Sequence, residues 1–406
     1  MQTKLVKSIL AFQPLFPVPI YFAVLIGCPP VWLGLMIAVI PLIIRFRYTR
    51  RIFTRTPFDI PILLFLGGVV IGVIVAPDKG VASGALCSTI ASVLVYYGIT
   101  ENSRATRKYW LCTAGTMCFI TVVLSLWFLY QSDHRVLFFN QWAFNLLAGL
   151  PRYTGPVMQL NTIGALVTVV IPPLFVFFFY RYKFIIKLTA LLLWIFFTEI
   201  LFLSDSGAGW IAFAISLAFM LVCWRKWLIW IFVPLGGLFT AAAIMSYDKM
   251  EWLRITFSSS SLTSRIDYWQ NTIALLKGRT IFTGLGLGSW HEIYSNRYGD
   301  PVPHVHNSYL QLYCDTGILG MVAMVLAGII IVRLSLNLVK LSKHNSDYWI
   351  GIGLIGSVIA GAVFAMFDVT TTVTYITAAG YIYLALPLLW IGAALISVVH
   401  MRNNVQ

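Results

Sequence analysis

The sequence predicts an all-α fold: a polytopic membrane helix bundle of about 12 transmembrane helices, forming a single transmembrane domain over residues 1–406. Hydrophobic residues make up 59% of the 406 positions and charged residues only 10%, against about 25% charged residues in a soluble domain. Many apolar runs also approach the roughly 20 residues that cross a bilayer as a helix. Composition and run length together exclude an ordinary soluble protein.

The apolar runs define the expected membrane helices in chain order. The clearest runs lie at 58–76, 81–99, 109–130, 157–180, 208–223, 227–246, 317–332 and 377–398. Runs with more polar interruptions, at 10–26, 31–44, 184–203 and 349–367, complete the twelve. No signal peptide is expected, because no small-residue cleavage site follows the first run and further spans come after it.

Basic residues orient the bundle, because short cytoplasmic loops are enriched in lysine and arginine. With both termini in the cytoplasm, 19 of the 28 lysines and arginines fall on that side, and most acids fall on the other. The net charge of +14 therefore reflects the orientation of the helices in the membrane. No soluble basic domain that would bind nucleic acid is expected. Two longer polar segments then lie outside: a shorter loop at 131–156 and a long loop at 247–307 before the tenth helix.

Two of the six histidines, His304 and His306, lie two residues apart where the long loop meets an apolar run. An imidazole in this place can accept a proton near neutral pH. His306 therefore has two interpretations from chemistry alone: a general base, or a residue that caps the following helix. His304 is expected to be structural or accessory.

The long loop is expected to contain ordered segments rather than disorder. Apolar residues at Trp269, Ile273 and Leu276 fit a helix that lies on the membrane or caps the bundle. Ser264 is a candidate N-cap for that helix. Arg265, the next residue, precedes the helix by one turn. The glycines of residues 284–288 predict a backbone bend beside a substrate cavity, since no strand and crossover helix flank them as in a nucleotide-binding loop.

These features resemble the bacterial O-antigen ligase and polymerase family of membrane glycosyltransferases. The histidine motif of that family is His followed by Asn, Ser or Gln, then nine residues, then Gly-x-x-Gly. The pair His306-Asn307, followed after nine residues by Gly317 and Gly320, matches it throughout. The segments 265–286 and 152–164 are also similar to the family, so the resemblance covers roughly residues 150–330.

One position departs from the family pattern. Where family members often carry Ser-Arg-Gly-Ala at the outer end of a middle helix, this chain has Gly207 in place of the arginine. One phosphate-binding arginine of the ligases is therefore missing, or it is supplied by Arg152 or Arg279. This departure leaves open whether the chain is a ligase or another member of the class.

The resemblance implies an inverting, metal-independent glycosyltransferase in the bacterial inner membrane, with its active site on the periplasmic face and partly on the loop 247–307. The donor would be an undecaprenyl-diphosphate-linked glycan, and the acceptor a hydroxyl of a glycan or of the lipid A–core. No cofactor, metal site or nucleic-acid partner is expected, and membrane lipids surround the protein; the chain contains no Asp-x-Asp triplet. His306 would be catalytic, and the expected diphosphate- and substrate-binding residues are Arg265, Arg152, Arg279, Asn307 and His304. We expect His306 and Arg265 to face one cavity.

Four functions remain open at this point; the least favoured is a purely structural or scaffolding membrane protein, which would not need a long outer loop carrying arginine and histidine at ordered positions. An O-antigen ligase, which moves the glycan to the lipid A–core, is preferred; the alternative is a polymerase that joins lipid-linked repeat units. A transporter of lipid-linked glycans is less favoured, because transporters carry ionisable groups at mid-span, whereas Glu199 lies in the outer third of its helix. The expected helix break at Pro172-Pro173 also has no counterpart in the other half of the chain.

Overall fold

The computed structural model shows a chain built almost wholly from helices. The structure describes residues 6, 9–10, 12–17, 31–105, 115–116, 118–126, 129, 160–178, 182–246, 259–341, 343, 346–369, 372–377, 380–385 and 394–398. Its helices are α1 (Val31–Thr49), α2 (Asp59–Val75), α3 (Lys79–Ala105), α4 (Leu160–Phe175), α5 (Phe184–Leu203), α6 (Gly207–Trp224), α7 (Ile229–Ser246), α8 (Ser259–Leu275), α9 (Thr280–Thr283), α10 (Trp290–Tyr298), α11 (Ser308–Val339) and α12 (Ser346–Ala365). Two strands follow, β1 (Thr372–Thr377) and β2 (Gly380–Ala385).

Within the described residues, six helices are long and apolar enough to cross a membrane. They are Lys79–Glu101, Asn161–Phe178, Phe184–Leu203, Gly207–Trp224, Ser308–Val339 and Asp347–Ala365. Each coincides with an expected span, and the shorter apolar helices Asp59–Val75 and Lys226–Leu238 coincide with two more. The chain is therefore a multi-pass membrane protein, while the count of twelve stays a prediction, because the run 10–26 falls largely, and the run 109–130 partly, outside the described residues.

The expected helical span at 377–398 is not a continuous helix. Strand β1 pairs antiparallel with β2, with Thr374 opposite Tyr383 and Thr377 opposite Gly380, and helix is present only at residues 394–398 of the described part of this run. The strand sequences are rich in Thr, Val, Ile and Tyr, which fit a pleated surface better than a helix. Hydropathy alone does not distinguish an apolar strand from an apolar helix, which explains the difference.

The chain divides into two compact units. The first comprises Met1–Ile120, Ala274–Leu338 and Val369–Gln406; the second comprises Thr121–Ile273 and Val339–Asp368. Helices α1, α2, α3, α9 and α10, most of α11 and the strands therefore belong to the first unit. Helices α4 to α7, nearly all of α8 and the whole of α12 belong to the second.

In the second unit, α12 packs against α4 and α6. Pro172 and Pro173 lie inside α4 but do not end it, contrary to the expected break. Pro173 has no N–H for the carbonyl of Val169, which would leave that acceptor unpaired in an apolar environment. The hydroxyl of Ser357 donates to the Val169 carbonyl at 2.7 Å, so α12 supplies the hydrogen bond that allows α4 to continue.

In the first unit, glycines bring α2 and α11 into backbone contact. A Cβ added to Gly68 would lie 2.7 Å from the Thr316 carbonyl oxygen and 3.1 Å from the Gly320 nitrogen. A Cβ on Gly72 would lie 3.3 Å from the Leu287 nitrogen. Small residues allow such close approach between helices in membranes. This contact holds the start of α11, and the segment before it, against α2.

Candidate active site

Residues 299–307 join α10 to α11, and the two histidines lie in the last four of them, the histidine segment 304–307. Asn307 is the N-cap of α11, because its Oδ1 accepts hydrogen bonds from the backbone N–H groups of Tyr309 and Leu310, both at 3.0 Å. Asparagine is among the best N-cap residues. His306 precedes this cap with a φ of 55°, so the capping role considered for His306 belongs to its neighbour. The asparagine of the motif therefore has a structural task that its sequence position alone did not reveal.

The two imidazole rings lie side by side. Their centroids are 4.3 Å apart, with an angle of 56° between the ring planes. His304 is buried, at 8% exposure, whereas His306 is half-buried. The partial exposure of His306 leaves its imidazole accessible to a reactant, which a general base requires.

A buried pair on the first turns of α11 holds the histidine segment in place. The Oε1 atom of Gln311 accepts from the backbone N–H of Val305 at 3.3 Å, the residue between the histidines. Its Nε2 donates to Asp315 Oδ1 at 3.1 Å, and the same oxygen accepts from the Gly288 N–H at 3.1 Å. The pair therefore ties the histidine segment to the glycine bend. Sequence analysis missed both residues, although a glutamine and an aspartate four apart on an otherwise apolar helix hinted at a buried polar pair.

The predicted backbone bend at residues 284–288 is confirmed. Gly284, Gly286 and Gly288 have φ values of 72°, 114° and 70°, which side chains other than glycine adopt only at a cost. The bend hydrogen-bonds to two helices: Leu285 N–H donates to the Cys314 carbonyl at 2.7 Å, and Leu287 N–H donates to the Gly72 carbonyl at 3.0 Å. Whether a substrate cavity lies beside the bend stays a prediction.

The Gly-x-x-Gly element of the motif has a packing explanation. Gly317 adopts a non-helical conformation inside α11, with φ 62° and ψ −155°, and a Cβ there would lie 2.7 Å from the carbonyl carbon of Phe282. A Cβ on Gly320 would lie 2.7 Å from the Thr316 Cβ. Gly317 thus allows α11 to kink against the segment before the glycine bend, whereas Gly320 leaves room for the Thr316 side chain one turn earlier in α11.

The candidate arginines have different surroundings. Arg265 lies in the second unit, where its Nη1 donates to the Phe367 carbonyl at 2.7 Å and its side chain is half-buried. Arg279 lies in the first unit, is exposed and directly precedes α9. Arg152 lies outside the described residues. Because Arg265 and His306 belong to different units, their shared cavity stays a prediction.

The start of the amphipathic helix was predicted incorrectly. The helix itself is confirmed, but α8 begins at Ser259, so Ser264 and Arg265 lie inside it rather than at its start. The sequence before Ser264 contains several serines, each of which is an acceptable N-cap. Local sequence therefore could not select among them. The consequence is that Arg265 is positioned by a helix turn rather than by a loop.

We expect Asp315→Ala to destabilise the protein by removing the acceptor for both Gln311 and Gly288. A buried donor left without its partner costs about 1–3 kcal/mol. The melting temperature of the purified protein in detergent should fall relative to the unaltered chain. Asp300→Ala is the matched control, since that side chain is exposed. Equal melting temperatures for the two variants would show that the buried pair does not hold the segment.

Comparison with known proteins bears on the same part of the chain. Residues 188–325 match the family model described as O-antigen ligase, and a comparison with curated proteins gave no match. The matched region contains Arg265, Arg279, the histidine segment and both motif glycines; Arg152 lies before it. The resemblance drawn from the motifs is confirmed: the match over residues 188–325 supports similarity to the O-antigen ligase/polymerase family.

Proposed function

We propose that this membrane protein transfers a glycan from a lipid diphosphate, undecaprenyl diphosphate, to a sugar hydroxyl, with His306 as the general base. The observation that carries the proposal is the family match over residues 188–325, which supports a glycosyltransferase of the O-antigen ligase/polymerase type. The His304–His306 pair lies inside that match. A site on the periplasmic face of the inner membrane, with both termini cytoplasmic, is part of the proposal and rests on the distribution of basic residues.

In the proposed reaction, the acceptor hydroxyl gives its proton to His306 as its oxygen attacks the anomeric carbon of the donor sugar. The bond from that carbon to the lipid diphosphate breaks on the opposite face, so the configuration inverts. The diphosphate leaves with its negative charge, which arginine forks stabilise by paired hydrogen bonds. These steps need no metal ion.

Arg265 is our choice for the diphosphate-binding residue. A guanidinium has five N–H donors, and the bond from Nη1 to the Phe367 carbonyl uses one of them while orienting the others. Lysine keeps the charge but loses the planar fork. The structural bond and the phosphate bonds therefore both depend on arginine at this position.

We expect Arg265→Lys to be nearly as damaging as Arg265→Ala. Each should lower the transfer rate on the order of 10²- to 10³-fold, the usual cost of removing one preorganised donor. The measurement is transfer of a labelled lipid-linked glycan by purified protein in proteoliposomes. Arg297→Lys and Arg297→Ala are matched controls, because Arg297 is exposed in the last turn of α10. Full activity of Arg265→Lys would refute phosphate binding through the fork.

The preferred acceptor is the lipid A–core, which would make the protein a ligase; the alternative is a polymerase. The His306-Asn307 to Gly317 spacing favours the ligase, whereas Gly207 in place of arginine favours the polymerase. Gly207 is the first residue of α6, directly after its N-cap Ser206. Both acceptors offer a sugar hydroxyl, so residue chemistry alone does not separate them.

A deletion strain separates the two acceptors. We expect lipid A–core without any attached O-antigen, with full-length chains accumulating on the lipid carrier. The readout is electrophoresis of the surface glycan together with analysis of the lipid-linked pool. A single repeat unit still joined to the lipid A–core would identify a polymerase instead. Wild-type surface glycan would contradict both assignments.

A further inference from the structure

The end of α1 and the α1–α2 loop (residues 50–58) form a strongly basic surface that the proposed transfer reaction does not use. Its cations are Arg45, Arg47, Arg50, Arg51 and Arg55, and the sequence from 45 to 55 contains neither a lysine nor an acid. Arg45 is half-buried and the other four are exposed. So many guanidinium groups in one short segment have two possible explanations. Either they bind an anion, or they orient the helices through the excess of positive charge on the cytoplasmic side.

Arg45 anchors one side of the loop. It donates to Gln13 Oε1 at 2.7 Å and to Glu101 Oε2 at 2.8 Å. Burial lowers the pKa of Arg45, and the nearby Glu101 carboxylate opposes that shift. The other carboxylate oxygen of Glu101 accepts from the backbone N–H and the hydroxyl of Thr54. One acid thus joins α3, α1 and the loop.

A second carboxylate fixes the other side. Asp59 accepts from the Thr56 N–H at 3.0 Å, from the Thr56 hydroxyl at 2.6 Å and from the Tyr97 hydroxyl at 3.0 Å. The Phe53 ring stacks on the Tyr97 ring, with centroids 4.1 Å apart. Both carboxylates are therefore engaged in holding the loop in one shape. The exposed arginines project from a loop that is already ordered.

Beside the loop lies a half-open cavity of about 580 Å³ lined by Arg51, Phe53, Thr54 and Arg55. This volume lies within the roughly 300–1,000 Å³ common for ligand pockets. Two guanidinium groups at its wall suit a phosphate, whose oxygens match the planar fork. If these residues served only to orient the helices in the membrane, lysine would supply the positive charge equally well, and no cavity would be needed.

We propose that this cavity binds the phosphate group of an anionic membrane phospholipid. Exposed apolar side chains flank it: Phe46 and Ile52 are 48% and 46% exposed, and Ile60 at the start of α2 is 66% exposed. Such side chains fit contact with lipid, and the ends of two apolar helices place the arginines at head-group level. A soluble phosphate would make the same ionic contacts but none with these apolar side chains. The lipid therefore accounts for both kinds of surface.

The test is native mass spectrometry of the full-length protein in detergent, titrated with phosphatidylglycerol, phosphatidylcholine or inorganic phosphate. We expect phosphatidylglycerol to bind saturably and more tightly than phosphatidylcholine. Arg51→Gln with Arg55→Gln should weaken that binding on the order of 30-fold, the combined effect of two arginines at an anionic surface. The matched control, Arg333→Gln with Lys340→Gln, removes two exposed cations elsewhere and should change binding less than about twofold, since neither cation lines the cavity.

Any one of four outcomes would overturn the proposal. The first is equal binding of phosphatidylglycerol by the double variant and by the control, and the second is equal affinity for phosphatidylcholine. Displacement of phosphatidylglycerol by millimolar inorganic phosphate would assign the cavity to a soluble anion and refute the lipid. If the double variant does not fold, Arg51→Lys keeps the charge but loses the fork, and unchanged binding by that variant would equally refute the site.

Discussion

Replacing His306 with alanine is expected to abolish glycan transfer while leaving the protein folded and inserted. Loss of a general base typically costs on the order of 10²- to 10⁴-fold in rate. The helix cap is Asn307, so α11 keeps its first hydrogen bonds in the variant. The measurement is transfer from a labelled lipid-linked donor in proteoliposomes, together with surface-glycan length and amount in a strain that expresses only the variant.

Because the backbone at His306 is left-handed, a second substitution, to glycine, is needed to separate loss of the imidazole from backbone strain. Its φ of 55° is costly for alanine but not for glycine. His306→Gly therefore removes the imidazole without adding strain and should be as inactive as His306→Ala. His291→Ala is the matched control, because its half-buried ring bonds to the Val302 carbonyl at 2.6 Å and no catalytic role is proposed for it. Normal glycan in the His306→Gly strain would remove His306 from the reaction.

Gly317→Ala is expected to have the largest effect on stability. The residue has a φ of 62°, and an added Cβ would lie 2.7 Å from the carbonyl carbons of Phe282 and Thr283. A left-handed backbone costs a non-glycine residue about 1–2 kcal/mol, and overpacking costs about 1–3 kcal/mol more. We expect a clear loss of thermal stability in detergent and a loss of transfer, because the kink sets the position of the histidine segment.

Gly328→Ala is the matched control for that substitution. Gly328 lies in the same helix, and a Cβ there would meet no atom within 4 Å. Alanine is a better helix former than glycine by roughly 0.5–1 kcal/mol, so stability should be unchanged or slightly higher. A Gly317→Ala protein that melts at the same temperature as Gly328→Ala would show that the kink at Gly317 is not required.

These expectations separate two tasks within one motif. His306 is the proposed general base, whereas Asn307 caps the helix and Gly317 permits the kink. The Gln311–Asp315 pair, which the motif does not specify, connects the backbone between the histidines to the glycine bend. A substitution at Asp315 should therefore act on activity through the position of His306, and its effect on stability should accompany any effect on transfer.

The sequence by itself determined the class of the protein and much of its helical layout. Apolar runs predicted the six described spans because bilayer thickness sets helix length directly. The glycine bend at 284–288 was predictable because glycine relieves a local steric restriction. The histidine motif predicted the family because it consists of residue types at set sequence separations, which can be read without a structure. Hydropathy failed at residues 380–385, where an apolar strand and an apolar helix have the same average composition.

Tertiary structure alone decided the contacts that hold the site. The Ser357 hydroxyl donates to the Val169 carbonyl, 188 positions away in the sequence. Arg265 donates to the Phe367 carbonyl, 102 positions away. The Asp315 carboxylate accepts from the Gly288 N–H, 27 positions away. No periodicity or local motif specifies such partners, because they meet only when separate helices pack. Each contact satisfies a polar group removed from water, a requirement that becomes visible only once the fold has buried that group.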